Sequence, residues 1–559
     1  MTTAYRVADF ETTTDASDCR VWLWGSVNED CSDFHHGTTI DEWIQHAGEI
    51  GGVHYFHNLA FDGAFILDWL LNNGWRVLDP SERFTVKNRK REIDTIIGIH
   101  GEHYQIVFTW PETKKRVTLR DSLKKLPFSV DTIAESFGLP ESKGSIDYAA
   151  DRPAGYQPTP AEIDYVRRDV MIVAQALMVQ YGEGLRRMTI GADALADYKD
   201  LARWFDIWFP KLDYQIDDDI RHAYRGGYVF ANPRYAGKVV DEPGSTYDVN
   251  SLYASVMADR LLPFGRPEFF TGEPEPTHDY PLWIAQIVVE LAIKHEDGRD
   301  RLPCVQLRNT PGYAPTEYVF ETHEPTTIYV TNIDWDLICE QYDVTVISWV
   351  NGWRFRGRAG MFTEYVDKWM RTKRTTVGGR QQIAKNMLNS LYGKFGTNPD
   401  ATGRLPMLDE RGIVSLEIGP RELRQPVYTA MAVFITSYAR DVMVRTAQAQ
   451  GDRFGYCDTD SLHIIGTDPP VGVTVDPGEL GAWKHERDWT RAKWLRAKCY
   501  VEQLNDAGER VVKIAGLPAS ARDDITVDNL EYGRMFTGKL VPVRVKGGVV
   551  LRDQRFKIR

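Results

Sequence analysis

Asp458 and Asp460 stand two residues apart in Tyr456-Cys457-Asp458-Thr459-Asp460-Ser461, within a run of small and apolar side chains. Two carboxylates drawn together out of water repel each other, and hydrogen bonds, proton uptake or a cation must relieve the repulsion. A divalent metal is the economical solution. An Asp-rich surface turn is the other reading of these six residues. Acids recur near the N-terminus: Asp9 and Glu11 alternate in Asp9-Phe10-Glu11-Thr12, Asp62 lies in Asn58-Leu59-Ala60-Phe61-Asp62-Gly63, and Asp169 follows Tyr165 by one helical turn. Four acids from three elements match a two-metal hydrolytic site, whose ions, roughly 3.5–4 Å apart, clamp the attacking and leaving oxygens. Tyr165 can then orient the water. A further carboxylate opens Asp248-Val249-Asn250-Ser251-Leu252-Tyr253, where backbone amides and Ser251 can meet a triphosphate. Singly, each of these acids reads as a cap or a surface charge; the joint pattern does not.

The elements that must hold these groups are legible from periodicity. Phe454 and Tyr456 before the Asp pair, and Leu462, Ile464 and Ile465 after it, predict a hairpin whose bend carries both acids on one side. A strand over Tyr5 to Ala8 runs into Asp9. Another over Gly52 to Phe56 leads to Asp62, which opens a helix with Phe65, Ile66, Trp69 and Leu70 at helical spacing. Thr159-Pro160-Ala161-Glu162 is a capping box with proline at the first helical position, followed by the stripe Ile163, Val166, Val170, Val173 and Leu177. Tyr165 and Asp169 share the adjacent face. Downstream, Ile383, Met387 and Leu391 form one helical stripe while Lys385, Asn389 and Tyr392 recur on the opposite face. That cation, amide and aromatic suit a phosphate, a base edge and a sugar ring, with a solvated polar face as the plain alternative. Gly378-Gly379 separates this helix from an earlier one carrying Lys373, which predicts an antiparallel helical hairpin.

Composition bounds the rest. A chain of 559 residues exceeds what a single core sustains, so several domains are expected. With 43% hydrophobic and 26% charged residues it reads as a soluble globular enzyme. Asp9 and Glu11 sit where a signal peptide would be apolar, and no uncharged apolar run approaches the ~18 residues of a membrane span. Six cysteines occur without a CxxC pair, which indicates neither a disulfide framework nor a zinc knuckle. A cytoplasmic protein is expected. The net charge of −12 argues against a generally polyanion-binding surface, yet Lys and Arg gather at 87–91, 371–374 and 491–498, as a local phosphate-tracking channel requires. Each cluster alone is more often a solvated face.

Asp9-Phe10-Glu11-Thr12, Asn58 to Gly63 and Tyr165-x-x-x-Asp169, in this order, resemble the three exonuclease motifs of proofreading family B DNA polymerases. Asp121 to Phe128 and Tyr224-Arg225-Gly226-Gly227 resemble segments of the phi29-type, protein-primed phage branch. Asp248 to Tyr253 is similar to motif A, Lys385 to Gly393 to motif B, the Asp458-Asp460 stretch to motif C, and Lys498-Cys499-Tyr500 to the K-x-Y segment. The likeness spans nearly the whole chain, to the closing Gly547-Gly548-Val549-Val550-Leu551. One departure is Ala254, where those relatives carry proline; it touches no metal ligand.

The resemblance implies an α+β protein with an RNase H-like 3′–5′ exonuclease domain and a right-hand polymerase of palm, fingers and thumb. The boundaries expected are 1–189 for the exonuclease, 190–262 and 427–515 for the palm, 360–396 for the fingers and 516–559 for the thumb. Stretches 263–359 and 397–426 look like the two terminal-protein-region insertions. It further implies that Asp248 and Asp460 are the main metal ligands with Asp458 in support and Val249 in the same set, and that Lys143 assists the nuclease. Asn58, Phe61, Phe65, Ser122 and Leu123 would touch the unpaired primer end; Tyr224, Arg225, Gly226 and Gly227, with Gly393, would meet DNA; Lys498 and Tyr500 would hold the primer terminus. Val249, Ser251, Leu252, Lys373, Lys385, Asn389 and Tyr392 would surround the nucleotide, and Tyr253 would exclude a ribose 2′-hydroxyl. Two Mg²⁺ per site, replaceable by Mn²⁺, are implied as cofactors. Implied partners are primer-template and single-stranded DNA, deoxynucleoside triphosphates and a terminal protein, with no membrane; the protein would be monomeric or paired with that terminal protein, in the cytoplasm of an infected bacterium. Processive, strand-displacing synthesis is expected. Trp335, Trp349, Trp353, Tyr318 and Tyr329 in the first insertion suit protein docking, and equally the core of a small domain. A nuclease whose C-terminal half merely clamps DNA is the alternative enzyme, and a non-catalytic replication scaffold the alternative of another class.

Overall fold

The computed structural model describes residues 4–82, 91–148, 150–296, 298–307, 314, 316–517 and 521–558. The basic residues 87–90 therefore lie outside the described part. The N-terminal third is built on one mixed sheet. Its elements are β1 (Tyr5–Thr12), β2 (Val21–Asn28), β3 (Phe34–Gly37), α1 (Ile40–Ile50), β4 (Gly52–Phe56), α2 (Leu59–Asn72), β5 (Arg76–Val77), β6 (Glu92–Ile97), β7 (His103–Thr109), β8 (Arg116–Asp121), α3 (Val130–Phe137) and α4 (Pro160–Gly182). The strand order is β3-β2-β1-β4-β8-β7-β6-β5, with β1, β4 and β8 mutually parallel at the centre. The β1 strand is longer than the sequence suggests. It continues through Asp9 and Glu11 because β2 pairs with it there, Asp9 opposite Gly25 and Glu11 opposite Leu23. Strand periodicity then puts both acids on one face. α4 starts at the predicted capping box, Thr159 accepting from the Glu162 amide.

Three helices, α5 (Ile190–Leu201), α6 (Phe205–Trp208) and α7 (Tyr214–Arg221), lead into the central sheet. That sheet is introduced by β9 (Val229–Ala231), β10 (Gly244–Val249) and α8 (Leu252–Asp259). The chain then departs into β11 (Leu262–Thr271), β12 (Leu282–Ile293), the small pair β13 (His295–Glu296) and β14 (Arg299–Asp300), β15 (Thr326–Thr331), α9 (Asn332–Gln341) and β16 (Tyr342–Arg358). The sheet β11-β16-β12-β15 has its own core, including Trp283, Ile287, Val289, Val330 and Ile338. The five aromatics considered for docking are all half-buried. Trp335 packs edge-on to Trp349, Tyr318 lies against Tyr228, and Trp353 donates to Asp219 of α7 at 3.2 Å. Trp335 and Trp349 thus pack on the insertion's own core, while Tyr318 and Trp353 join it to the rest of the chain.

α10 (Thr363–Thr375) and α11 (Gly379–Phe395) form the predicted helical hairpin, with Ile383, Met387 and Leu391 fully buried. A short β-hairpin follows, β17 (Arg404–Leu408) and β18 (Val414–Ile418), which leans on the N-terminal domain: Arg404 Nε donates to the Ile99 carbonyl at 2.6 Å and Asn72 to the Gly412 carbonyl at 3.2 Å. The long buried α12 (Thr429–Ala449) returns the chain to the central sheet through β19 (Phe454–Asp458), β20 (Ser461–Ile465) and β21 (Trp483–Trp489), in the order β21-β10-β20-β19-β9. A separate three-stranded sheet, β22 (Arg491–Arg496), β23 (Cys499–Gln503) and β24 (Arg510–Ile514), packs beside it. The last element is a hairpin of β25 (Met535–Val545) and β26 (Gly548–Lys557). Its Val549 and Val550 join the hydrophobic core of the N-terminal domain, next to Phe65. Among the described residues no helix is long and apolar enough to cross a membrane.

Candidate active sites

The structure gathers the four N-terminal acids in one cleft of about 630 Å³, lined by Asp9, Glu11, Asp62, Asp169, Tyr165 and Lys143 and closed on one side by Leu540 and Val549 to Leu551. Three elements supply them: β1, the first turn of α2, and α4. The Asp62 carboxylate accepts from the Phe10 amide at 3.2 Å, which ties α2 to β1. Glu11, Asp62 and Asp169 are buried. Burial and the charge of Asp169 push Asp9 up to about 7. Burial, with Asp9 beside them, holds Glu11 and Asp62 well above the carboxylate range. Lys143 Nζ, 3.4 Å from Asp169 Oδ2, is the counter-cation, while Asp169 Oδ1 is buried without a hydrogen-bond partner.

Around that cleft the sequence-derived contacts divide. Asn58 and Phe61 line it. Ser122, Leu123 and Phe65 are not in its lining, and of the three Leu123 is half-exposed. Ser122 is fully buried, its Oγ donating to the Phe56 carbonyl at 3.0 Å and meeting His57 Nδ1 at 3.0 Å; the Leu123 amide is held by Asp121. Phe65 is 2% exposed, with the β25–β26 tip at Gly548 packed on its ring. Tyr148 was missed. It lines the cleft and its hydroxyl lies 2.9 Å from that of Tyr165.

The second acid set lies on the central sheet. Asp248, next to last on β10, lies opposite Ser461, and Asp458 pairs with the same residue from β19, so the β19–β20 bend delivers Asp458 and Asp460 beside Asp248. Thr459 takes φ 63° at the bend, its amide bonded to the Tyr228 carbonyl at 2.7 Å, and the Val249 amide donates to the Asp460 carbonyl at 2.8 Å. The Val249 side chain is buried, leaving only backbone for a ligand. Burial and Asp460 push Asp248 up to about 7; burial and Asp458 push Asp460 up to about 6. Glu486 on β21 adds to the charge on Asp248, a participant the sequence did not reveal.

Facing this set, Lys373 reaches Ser251 Oγ at 3.3 Å, and burial with Lys385 nearby lowers its pKa. Leu252 is buried at the start of α8. Tyr253 and Tyr392 stack at 3.9 Å between centroids, an aromatic floor joining β10's loop to α11. Lys385, Asn389 and Gly393 lie exposed on the α11 face expected for them. Lys498 Nζ contacts Asp458 Oδ1 at 2.6 Å, and its amide donates to Tyr456 Oη at 2.9 Å. Tyr500 is buried against Tyr456 and His463. The rest of the 491–498 cluster is engaged elsewhere: Arg491 pairs with Asp241 and Asp528, and Lys493 is buried.

Tyr224 to Gly227 forms the link between α7 and β9. Gly227 is a close-approach position, since a Cβ there would sit 2.9 Å from Thr459 and 3.0 Å from Tyr253 Oη. Tyr224 packs on Gly396. Arg440 of α12, unmarked by any local pattern, donates to the Arg225 and Gly226 carbonyls at 3.1 and 3.0 Å while paired with Asp334 at 2.8 Å. It fixes this link to the first insertion.

Both acid sets have the hard oxygen donors that suit Mg²⁺. The buried, unpartnered oxygen of Asp169 and the mutual repulsion of Asp248 and Asp460 are what a cation would relieve. Among the described residues no group of three or more acidic, His or Cys side chains is already arranged to hold a metal ion. Each set has a lysine at its side, Lys143 at Asp169 and Lys498 at Asp458.

A family model described as DNA polymerase type B, organellar and viral, matches residues 47–157 and 150–476. The DNA polymerase of Bacillus phage B103 is 41% identical over 99% of this chain and 99% of its own length. That of Bacillus phage phi29 is 40% identical, over 99% of this chain and 98% of its length. The structure of Phi29 DNA polymerase complexed with primer-template DNA and incoming nucleotide substrates covers 100% of both chains, with a TM-score of 0.92 and 39% identity. With its RNase H-like N-terminal domain and right-hand remainder, this chain belongs to the family B DNA polymerases of phi29-type phages.

Proposed function

We propose that this chain extends a primer 3′ end on a DNA template at the central sheet and removes mispaired 3′ nucleotides in the N-terminal cleft. The observation that carries the reading is the presence, in one chain, of two separate acid sets, each with a lysine beside it. At the polymerase site Lys373 and Lys385 hold the triphosphate, and Ser251 with the following amides fixes its tail. Tyr253 lies under the sugar, stacked on Tyr392, and leaves no volume for a 2′-hydroxyl. Asn389 and Leu252 complete the nucleotide pocket. Lys498 and Tyr500 hold the primer terminus; Tyr224 to Gly227 and Gly393 touch the template. Divalent metal dependence is a property of the family, and two Mg²⁺ per site, with Mn²⁺ as substitute, would be held by Asp248, Asp460, Asp458 and the Val249 backbone, and in the cleft by Asp9, Glu11, Asp62 and Asp169. When bound, the ions make the primer 3′-hydroxyl or a water a better nucleophile and neutralise charge on the leaving oxygen.

In the cleft, Tyr165 orients the water, with Tyr148 bonded to its hydroxyl, and Lys143 offsets charge near Asp169. Asn58 and Phe61 take the unpaired end, supported by Ser122, Leu123 and Phe65. The exonuclease runs over 1–189, the palm over 190–262 and 427–515, the fingers over 360–396 and the thumb over 516–559. We assign 263–359 and 397–426 to docking a terminal protein that primes replication, with the polymerase acting as a monomer or paired with that protein in the cytoplasm of an infected bacterium. Primer extension with and without deoxynucleotides tests the reading, run beside transfer of the first labelled nucleotide to a candidate terminal protein. Extension only with nucleotides, and shortening without them, are expected. A protein that shortens primers but never lengthens them would be the clamped nuclease instead.

A further inference from the structure

A charged network lies buried beneath the palm acids and takes no part in the chemistry above. Glu502 on β23 is wholly buried. It accepts from Nδ1 of His463 on β20, itself wholly buried, and from Arg487 Nε on β21 at 3.1 Å; Thr246 Oγ1 on β10 lies 3.4 Å from both its oxygens. The connections continue outward. His463 Nε2 is 3.3 Å from Ser461 Oγ, which donates to the Asp458 carbonyl at 3.2 Å. Two residues from Glu502, Tyr500 sets its ring edge-on to His463 at 5.0 Å.

The positions of these partners along the chain give the network its meaning. Thr246 is two residues before Asp248, His463 three after Asp460, and Arg487 next to Glu486. All three sit on the five-stranded sheet that bears the acids, whereas Glu502 belongs to the separate sheet that bears Tyr500 and follows Lys498. A buried charge costs several kcal/mol to desolvate, and apolar residues of the same volume are often the more stable solution. What a carboxylate supplies is a fixed geometry, because it only accepts and has room for several directional bonds at once.

We propose that Glu502 is a positioning residue of the polymerase site, setting the sheet that holds the primer terminus against the sheet that holds the metal-binding acids. This deepens the reading under Proposed function and rests on it. In Glu502→Gln, an amide N–H₂ must face either Arg487, donor against donor, or His463, whose Nδ1 accepts only once its proton has moved to Nε2; either way the charged anchor common to the two sheets is lost. Displacement of reacting groups by about 1 Å costs up to ~100-fold in rate, so a kcat for nucleotide addition lower by about tenfold or more is expected, with the deoxynucleotide KM changed by less than about threefold. Degradation of single-stranded DNA, whose cleft lies in another domain, should stay within about twofold. Arg487→Gln should show a smaller loss of the same kind. In the double variant the two amides can pair, and the side-chain carbonyl at position 502 can turn to His463, so most of the rate should return.

Single-turnover extension, exonuclease rate and melting temperature are measured on the intact chain for the wild type, both single variants and the double variant. Wild-type extension by Glu502→Gln would overturn the proposal. So would a parallel loss of extension, exonuclease and melting temperature, which marks fold support alone, or a double variant no faster than the slower single. If the wild type itself failed to extend primers, the polymerase reading would fall before this one was reached.

Discussion

Asparagine at position 248 should stabilise the metal-free protein while ending synthesis. Burial and the neighbouring Asp460 raise the Asp248 carboxyl from 3.8 to about 7. At ~1.4 kcal/mol per unit, the ionised group costs the metal-free fold up to about 4 kcal/mol. Asp248 is only half-buried, so solvent screening reduces this to about 2 kcal/mol. A carboxyl with a raised folded pKa takes up protons on folding. Its cost is therefore absent below pH 3.8, grows as pH rises towards 7 and is complete above that. Bound Mg²⁺ reverses the balance, because the same charge then attracts. The measurement is the melting of the palm in chelator and in Mg²⁺, at about pH 5 and pH 8, in an Asp9→Ala/Glu11→Ala background that silences the other acid set. In chelator at pH 8, Asp248→Asn should melt a few degrees above its parent, with the gap narrower at pH 5. Mg²⁺ should raise the parent alone. An Asp248→Asn protein no more stable than its parent in chelator at pH 8, or one shifted equally by Mg²⁺, would refute the assignment of Asp248 to a cation site.

The Asp9→Ala/Glu11→Ala protein itself should degrade single-stranded DNA slower by several orders of magnitude while extending primers normally; unchanged release of mononucleotides would sink the cleft assignment. Tyr253→Val removes the ring stacked on Tyr392 and should raise ribonucleotide incorporation far more than it lowers deoxynucleotide use, read by single-nucleotide kinetics. Gly403→Val would drive a Cβ into the Ile97 carbonyl, where the β17–β18 hairpin meets the N-terminal domain. Displacing that hairpin should shorten products on a long primed template and leave addition of the first few nucleotides intact; full-length products at the normal rate would deny the contact a role in processive synthesis.

The local elements and the acids were legible in the sequence because their signals are short-range. Alternation placed Asp458 and Asp460 at a hairpin bend, a capping box fixed the start of α4, and two stripes of α11 separated Met387 from Lys385 and Tyr392. Motif order along the chain then carried the resemblance to its family. Tertiary structure decided what those residues touch. Ser122 and Phe65 look like cleft residues in sequence, yet one is taken up by His57 and a backbone carbonyl and the other lies under the β25–β26 tip. The aromatics of the first insertion read alike in sequence, yet Trp335 and Trp349 pack on its own sheet while Tyr318, Tyr329 and Trp353 pack on clusters of the rest of the chain. Arg440, Glu486, Tyr148 and Glu502 gave no signal at all, since a lone charged or aromatic residue has the same local pattern whether it faces water or a partner on another element. Asp334 is such a partner for Arg440. Spacing encodes which face of an element a side chain occupies, and only the assembled fold brings two distant faces together and so sets burial, pairing and pKa.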